Sequence, residues 1–312
     1  MDKATQDVVR QELSGQSIIV FSTLNSDQNS IKALSDFAQQ TDLTSYTVLS
    51  TDSSSSVALE ARYPNRPSIM EIRTKANLAQ IDVNIISGHI RRKKRLLLAD
   101  MDATIIRDES LDELADLAGI ADKIIPITKR AMAGELDFQE ALSARLSFLN
   151  GQPETLLHQV VKNTQITDGA HELVGTMRAH GAHCYLVSGG FTFLSGVIAH
   201  QLGFTDHHSN IMGVSNGMLT GKAVPPILDQ QAKLRFLEHY IKKFNLKPDD
   251  CLCVGDGAND MAMLKHAGMG VAFQGKPALR KKIELQLNYT DLTGLLYLQG
   301  YHSAEFSTNL TC

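Results

Sequence analysis

The sequence predicts an α/β protein: a parallel-sheet core, a helical segment inserted into that core, and a smaller α+β unit ahead of it. Three observations carry this. Unbroken apolar runs at residues 96–99, 184–187 and 251–254 lead into acid, hydroxyl or glycine residues, as strands buried on both faces of a parallel sheet do. Helical patterns alternate with these strands, which is the order of an α/β sheet. Finally, 86 positions separate Asp102 from Ser188, whereas a strand-helix-strand unit takes roughly 30 residues, so an extra element stands between the first two core strands.

A chain of 312 residues exceeds one average domain. Its 43% hydrophobic and 21% charged residues are those of a soluble globular protein, and a net charge of -4 gives no general attraction for nucleic acid. Residues 1–16 are polar and lack the apolar centre of a signal peptide, and no later run reaches membrane-spanning length. The expectation is a cytoplasmic protein with no membrane or nucleic-acid partner. Four cysteines, Cys184, Cys251, Cys253 and Cys312, make no disulfide framework in so long a chain. Cys251 and Cys253 lie in an apolar strand with no further ligands nearby, so they read as core rather than metal site.

In the first 86 residues, strands are read at 18–21, 46–49, 57–61 and 81–86, with helices at 31–38 and 68–78. That order, βαββαβ, is the ferredoxin-like split pattern. Nothing in it carries chemistry, so residues 1–86 are expected to form an accessory α+β unit, of the kind that often binds amino acids in regulatory proteins, ahead of a catalytic unit at 87–312. Gly88 and the run Arg91-Arg92-Lys93-Lys94-Arg95 form the joint. Five cations without interleaved aromatics read as a solvated linker.

The organising stretch follows: Leu96-Leu97-Leu98-Ala99-Asp100-Met101-Asp102. An apolar strand that presents two acids at its carboxyl edge calls for a cation. The insertion, at about 105–165, is helical throughout, with apolar positions at Leu111, Leu114, Ala115 and Ala118, then 124–132, then Phe138, Ala141, Leu142 and Leu149, then Leu156, Leu157 and Val160. Its place directly after the catalytic strand makes it a natural lid. The second core strand ends at Ser188-Gly189-Gly190, where glycines let backbone N–H groups approach an anion. Asn216-Gly217 marks a hairpin, a helix follows over about 231–244, and the third core strand leads into Gly255-Asp256-Gly257-Ala258-Asn259-Asp260. A further strand at 270–273 completes the alternation.

The three strand ends therefore offer Asp100 and Asp102, Ser188, and Asp256, Asn259 and Asp260, which an open parallel sheet gathers into one crevice. So many acids need a metal, and oxygen-only ligands select a hard ion such as magnesium. A carboxylate nucleophile, a hydroxyl, a cation and Mg²⁺ are the set needed for phosphoryl transfer through an aspartyl-phosphate. The rival, a dinucleotide site, lacks its Gly-x-Gly-x-x-Gly after any of these strands.

The motifs "DMDATII", "LVSGGF" and "GDGANDMAML", in this order within residues 93–301, resemble those of the phosphoserine phosphatases of the haloacid dehalogenase superfamily. The resemblance implies a Rossmann-like hydrolase core with a helical cap. It implies Asp100 as nucleophile and Asp102 as general acid/base. Ser188, Gly189, Lys233 and Asn259 would bind the phosphoryl group. Magnesium would be held by the carboxylates of Asp100 and Asp256 and the backbone carbonyl of Asp102, with Asp260 supporting the metal and Lys233. Glu109 and Arg145 match the positions that read the substrate's amino and carboxylate groups. The implied reaction is Mg²⁺-dependent hydrolysis of O-phospho-L-serine, the last step of serine synthesis. Ala103 departs from the usual serine, with a small effect expected. A homodimer is among the expected assemblies.

Residue by residue, plainer readings stand beside these. Arg145 lies on the apolar stripe of its helix, where a snorkelling arginine competes with a bidentate carboxylate clamp. Lys233 opens a helix, where the dipole disfavours a cation. Glu109 precedes a helix and suits its dipole, and Ser188 suits a helix cap. His183, His200, His207 and His208 have no metal spacing and read as structural or surface. Two alternative functions remain at this level: a phosphotransferase with another hydroxyl acceptor, and an amino-acid sensor with a vestigial site.

Overall fold

The computed structural model describes residues 17–25, 29–51, 53–63, 67–86, 91–132, 135–228 and 231–308. The polar stretch 1–16, Gly88 and Cys312 lie outside them. The first unit runs β1 (Ser17–Leu24), α1 (Ser30–Gln39), β2 (Ser45–Val48), β3 (Ser56–Tyr63), α2 (Ile69–Leu78), β4 (Asp82–Ile86). Its strands form an antiparallel sheet in the order β2-β3-β1-β4, the ferredoxin-like arrangement.

This sheet is buried on both faces, which the sequence pattern does not reveal. Ile19, Phe21, Val57, Leu59 and Ala61 pack under the two helices with Leu34, Ala38, Ile72 and Ala76. Their alternate neighbours Ile18, Val20 and Ala58 point the other way and join the main core. The cover there comes from the far end of the chain, where Tyr297 is fully buried and donates its hydroxyl to the Ser56 carbonyl at 3.1 Å. β3, a weak strand by sequence, is thus the most enclosed of the four.

The edge strand β4 meets the second sheet through side chains that imitate a strand. Asn84 Nδ2 donates to the Gln286 carbonyl and Asn84 Oδ1 accepts from the Gln286 N–H, both at 2.8 Å. Asp82 accepts from the N–H groups of Asn288, Tyr289 and Thr290 at 2.7, 3.0 and 2.8 Å, and from the Thr290 hydroxyl at 2.8 Å. The solvated-linker reading of the basic run 91–95 is corrected at Lys94 and Arg92, while Arg91 and Arg95 are exposed as expected. Lys94 is buried, its ammonium donating to the carbonyls of Arg91 and Asp249 at 2.6 and 2.8 Å, and Arg92 pairs with Glu60 of β3 and donates to the Leu298 carbonyl. Carbonyl and carboxylate oxygens here stand in for part of the water these two cations would otherwise hold.

The second sheet begins at β5 (Leu96–Ala99). Next come the cap helices α3 (Ser110–Leu117), α4 (Ala121–Met132), α5 (Phe138–Ser147) and α6 (Thr155–Asn163), and the returning helix α7 (Ala170–Ala179). Then follow β6 (His183–Phe191), α8 (Thr192–Leu202), β7 (Asp206–Ser215), β8 (Met218–Val224), α9 (Ala232–Lys243) and β9 (Cys251–Gly255). The chain closes with α10 (Met261–His266), β10 (Met269–Phe273), α11 (Pro277–Arg280), β11 (Leu285–Leu287) and α12 (Gly294–Leu298). The strand order is β11-β10-β9-β5-β6-β7-β8, parallel except for β7 with β8.

β5 stands between β9 and β6, so the three motif strands are neighbours and their carboxyl ends open on one crevice at a topological switch point. Leu97 faces one layer with Cys184, Leu186, Leu252 and Val254, and Leu96 and Leu98 face the other with Tyr185, Cys251 and Cys253. Burial on both sides is the reason these strands read as unbroken apolar runs. Cys184, Cys251 and Cys253 are buried, free thiols, and burial pushes Cys184 and Cys251 up to about 12, so they act as core side chains.

The cap is helical, as the sequence predicts, with one addition. The β7–β8 hairpin reaches beyond the sheet, and the loop between α5 and α6 pairs with it through Gly151 N–H to the Leu219 carbonyl and Glu154 N–H to the Gly217 carbonyl, each at 2.9 Å. Gly221, at φ +68°, is required there: a Cβ would stand 2.8 Å from Asn150 Cβ.

Candidate active site

The acid strand end is held from beneath. Asp100 Oδ1 accepts from Met101 N–H at 2.8 Å and faces Lys233 Nζ at 2.6 Å. The same ammonium meets Asp260 Oδ1 at 2.6 Å, and Asp260 Oδ2 accepts from Gly257 N–H at 3.0 Å. Gly255 makes this possible, since a Cβ there would lie 2.2 Å from Asp260 Cγ. Burial works against the Lys233 ammonium, but the carboxylates of Asp100 and Asp260 outweigh it and raise its pKa. Two carboxylates thus offset the unfavourable helix-dipole position that the sequence suggests for this lysine. Burial, with Asp100 adding to it, raises Asp260.

Asp102 is bound into a different set. The turn Met101–Ile105 brings it back over Asp100, with Ala103 forced to φ +49°. Its Oδ1 accepts from Ser110 N–H, the first residue of cap helix α3, at 2.8 Å, and its Oδ2 accepts from the Ser188 hydroxyl at 2.9 Å. Ser188 Oγ in turn accepts from Gly190 N–H at 2.8 Å. Ser188 therefore caps no helix; α8 begins at Thr192 and draws no side-chain cap from it. Gly190 is fixed by close approach, because a Cβ there would sit 2.8 Å from Asp102 Oδ2. Burial raises the Asp102 pKa, opposed by the bonds from Ser110 and Ser188 and reinforced by the Asp100 carboxylate.

The cap supplies Glu109 and Arg145. Arg145 donates to the Ala141 carbonyl at 3.2 Å and to Thr128 Oγ1 at 3.4 Å, and burial lowers its pKa against the pull of Glu109, Asp112 and Asp102. Burial pushes Glu109 up to about 8, with Asp102 adding to the shift and Lys276 opposing it. A cavity of about 60 Å³ lies between, lined from the sheet by Asp100, Asp102, Ser188, Gly189, Asp256 and Asn259, and from the cap by Glu109 and Arg145. Of the predicted residues, Lys233 and Asp260 do not line it; they stand behind Asp100.

A profile of the haloacid dehalogenase-like hydrolases matches residues 97–265, which contain all three motifs and the whole cap. The chain belongs to this family. Its relatives include the phosphoserine phosphatase of Lactococcus lactis, 39% identical over 65% of this chain and 94% of that one. The Haemophilus influenzae phosphoserine phosphatase is 38% identical over 65% of each chain, and that of Archaeoglobus fulgidus 37% identical over 65% of this chain and 59% of that one. The matched part thus spans less than two thirds of these two longer relatives. Among solved structures, a haloacid dehalogenase-family hydrolase from Salmonella enterica serovar Typhi superposes with a TM-score of 0.78 at 26% identity, over 91% of this chain and 98% of that one. A phospho-aspartyl intermediate analogue of phosphoserine phosphatase gives 0.63 at 35% identity, over 65% and 98%.

The carboxylates of this family member fit a hard dication by their donor chemistry. One oxygen each from Asp100, Asp256 and Asp260 lies within 4.8 Å of the others, and all three residues are buried. Oxygen is the only donor type present, as magnesium-type ions require. Burial, with Asp100 adding to it, pushes Asp256 up to about 6, the response of an acid cluster short of positive charge. Since both Asp260 oxygens are engaged, by Lys233 and Gly257, Asp100 and Asp256 are the better ligands.

Lys276 is a site residue that sequence reasoning missed. It lies 2.9 Å from Asp256 Oδ2 and 3.2 Å from Glu109 Oε1. Its signal was present but weak: a cation in Gly275-Lys276-Pro277, just past the end of β10, the strand next to β9. Among the histidines, His207 meets the Ser195 hydroxyl and His208 the Tyr240 hydroxyl, the structural roles expected.

Proposed function

We propose that this protein is a magnesium-dependent phosphoserine phosphatase. The observation that carries the reading is the shared cavity. A nucleophile, an acid/base and anion-binding groups enter it from the sheet, while a carboxylate and a guanidinium, complementary to an amino acid's two charged groups, enter from the cap. The similarity to phosphoserine phosphatases supports the same assignment.

In this mechanism Asp100 attacks phosphorus through Oδ2, because Oδ1 is occupied by Met101 and Lys233. Asp102, whose pKa burial raises, gives its proton to the departing serine oxygen; the resulting carboxylate then takes a proton from the water that hydrolyses the aspartyl-phosphate. Ser188, Gly189 N–H and Asn259 hold the phosphoryl oxygens, and Lys233 offsets their charge from behind Asp100. Magnesium, held by Asp100, Asp256 and the Asp102 carbonyl, would neutralise and orient the transferring group. The site lies between sheet and cap, so closure of the cap over bound substrate would exclude water. Residues 1–86 are accessory in this reading, since among the described residues none that lines the cavity comes from them.

The test is phosphate release from a panel of phosphomonoesters with and without Mg²⁺, with homoserine as a competing acceptor. Phosphoserine should be preferred, and Asp100→Asn should abolish turnover with the fold intact. Arg145→Ala should lower kcat/KM for phosphoserine by about a hundredfold and for p-nitrophenyl phosphate much less. Equal loss on both substrates would remove the amino-acid reading, and transfer to homoserine in place of hydrolysis would make the protein a phosphotransferase.

A further inference from the structure

Lys276 stands on the seam between cap and sheet, and the chemistry above gives it no task. Its backbone N–H donates to the Asp256 carbonyl at 2.8 Å, and its ammonium returns to Asp256 Oδ2 at 2.9 Å. On its other side the ammonium meets Glu109, a cap residue 167 positions away in the chain, at 3.2 Å. Burial disfavours this cation, yet Asp256 and Glu109 outweigh burial and raise its pKa. Glu109 itself feels the negative charges of Asp102 and Asp256. When Glu109 ionises, the ammonium that meets it is that of Lys276. A substrate ammonium directed to Glu109 claims the same oxygens.

We propose that Lys276 is a positioning residue: its ammonium ties the cap to the sheet through Glu109 before substrate binds, and the substrate's ammonium replaces it there, leaving Lys276 to Asp256 alone. The nature of the arriving group rests on the phosphoserine reading. A phosphate ester without an ammonium cannot displace the pair, so the tie also acts as a filter on what fully engages the cap.

The test is amide hydrogen exchange of α3 (Ser110–Leu117) in chelator above about pH 8, where Glu109 is ionised, on the full chain and four variants: Lys276→Met, Lys276→Arg, Glu109→Gln and the double variant Lys276→Met/Glu109→Gln. β5 and β9 serve as internal controls for folding. Lys276→Met should speed α3 exchange by about fivefold, Lys276→Arg should restore most of the protection, and adding Glu109→Gln to Lys276→Met should change nothing further. With saturating L-serine, the coupling between the two positions should vanish. Additive effects without ligand would overturn the tie, and coupling that persists unchanged with serine bound would overturn the replacement. If serine leaves wild-type exchange untouched, the phosphoserine reading and the replacement step both fall, while the ligand-free coupling still decides the tie by itself.

Discussion

The Ser188 hydroxyl donates to Asp102 Oδ2 at 2.9 Å while accepting from Gly190 N–H at 2.8 Å. In the ligand-free site the hydroxyl proton points toward the acid. The bond stabilises the charged form of Asp102 and so holds down a pKa that burial raises. In Ser188→Ala the pH-rate profile should move to higher pH, and kcat/KM should fall about 10- to 100-fold, the worth of a hydrogen bond to a charged group. A reduced rate with an unmoved profile would mean that the hydroxyl serves the phosphate and not the acid.

Lys233→Met leaves Asp100 and Asp260 buried without their shared cation. Breaking a buried pair from one side costs about 3–5 kcal/mol, and urea unfolding of the metal-free variant should show a loss of that size near neutral pH. The deficit should shrink in acid, where Asp260 takes up a proton and no longer needs the ammonium. A loss under about 1 kcal/mol, the range of exposed pairs, would contradict the buried network.

Glu109 makes the metal-free protein sensitive to base. Its ordinary value of 4.5 is raised to about 8 by burial first, then by Asp102, so the folded chain holds a proton that the unfolded chain releases across that window. The stability linked to this proton is fully present below about pH 4.5 and is lost as the pH rises through about 8. In chelator, the thermal midpoint of the wild type should therefore fall more steeply from about pH 5 to 8 than that of Glu109→Gln. Parallel curves would show that the carboxyl does not titrate in that range.

Asp82 holds the N-terminal sheet to the core by accepting from three backbone N–H groups and one hydroxyl of residues 288–290. Asp82→Ala orphans these donors at a cost of about 3 kcal/mol. Unfolding should show that loss while kcat stays near wild type, since among the described residues none in that unit lines the cavity. A neutral effect on stability would indicate that the unit is only tethered.

Much of the fold was legible because the forces that set it leave local traces. The run 96–99 is unbroken because both faces of β5 are covered, and the acids past its end are visible because strand ends in a parallel sheet converge. The basic run 91–95 misled for the opposite reason: charge in the sequence does not show that carbonyls from residues 249 and 298 will satisfy it.

The sequence by itself determined the order of strands and helices, the acids, hydroxyl and glycines at the strand ends, and the presence of a helical cap. These follow from periodicity and steric demand within a few residues. Only the tertiary structure decided that Ser188 bonds to Asp102, that Lys276 joins Glu109 to Asp256, and that the C-terminal residues around Tyr297 close the bare face of the first sheet. A hydrogen bond or ion pair across 86 or 167 positions imposes no repeat on the residues between, so nothing in one sequence records it until the chain has folded.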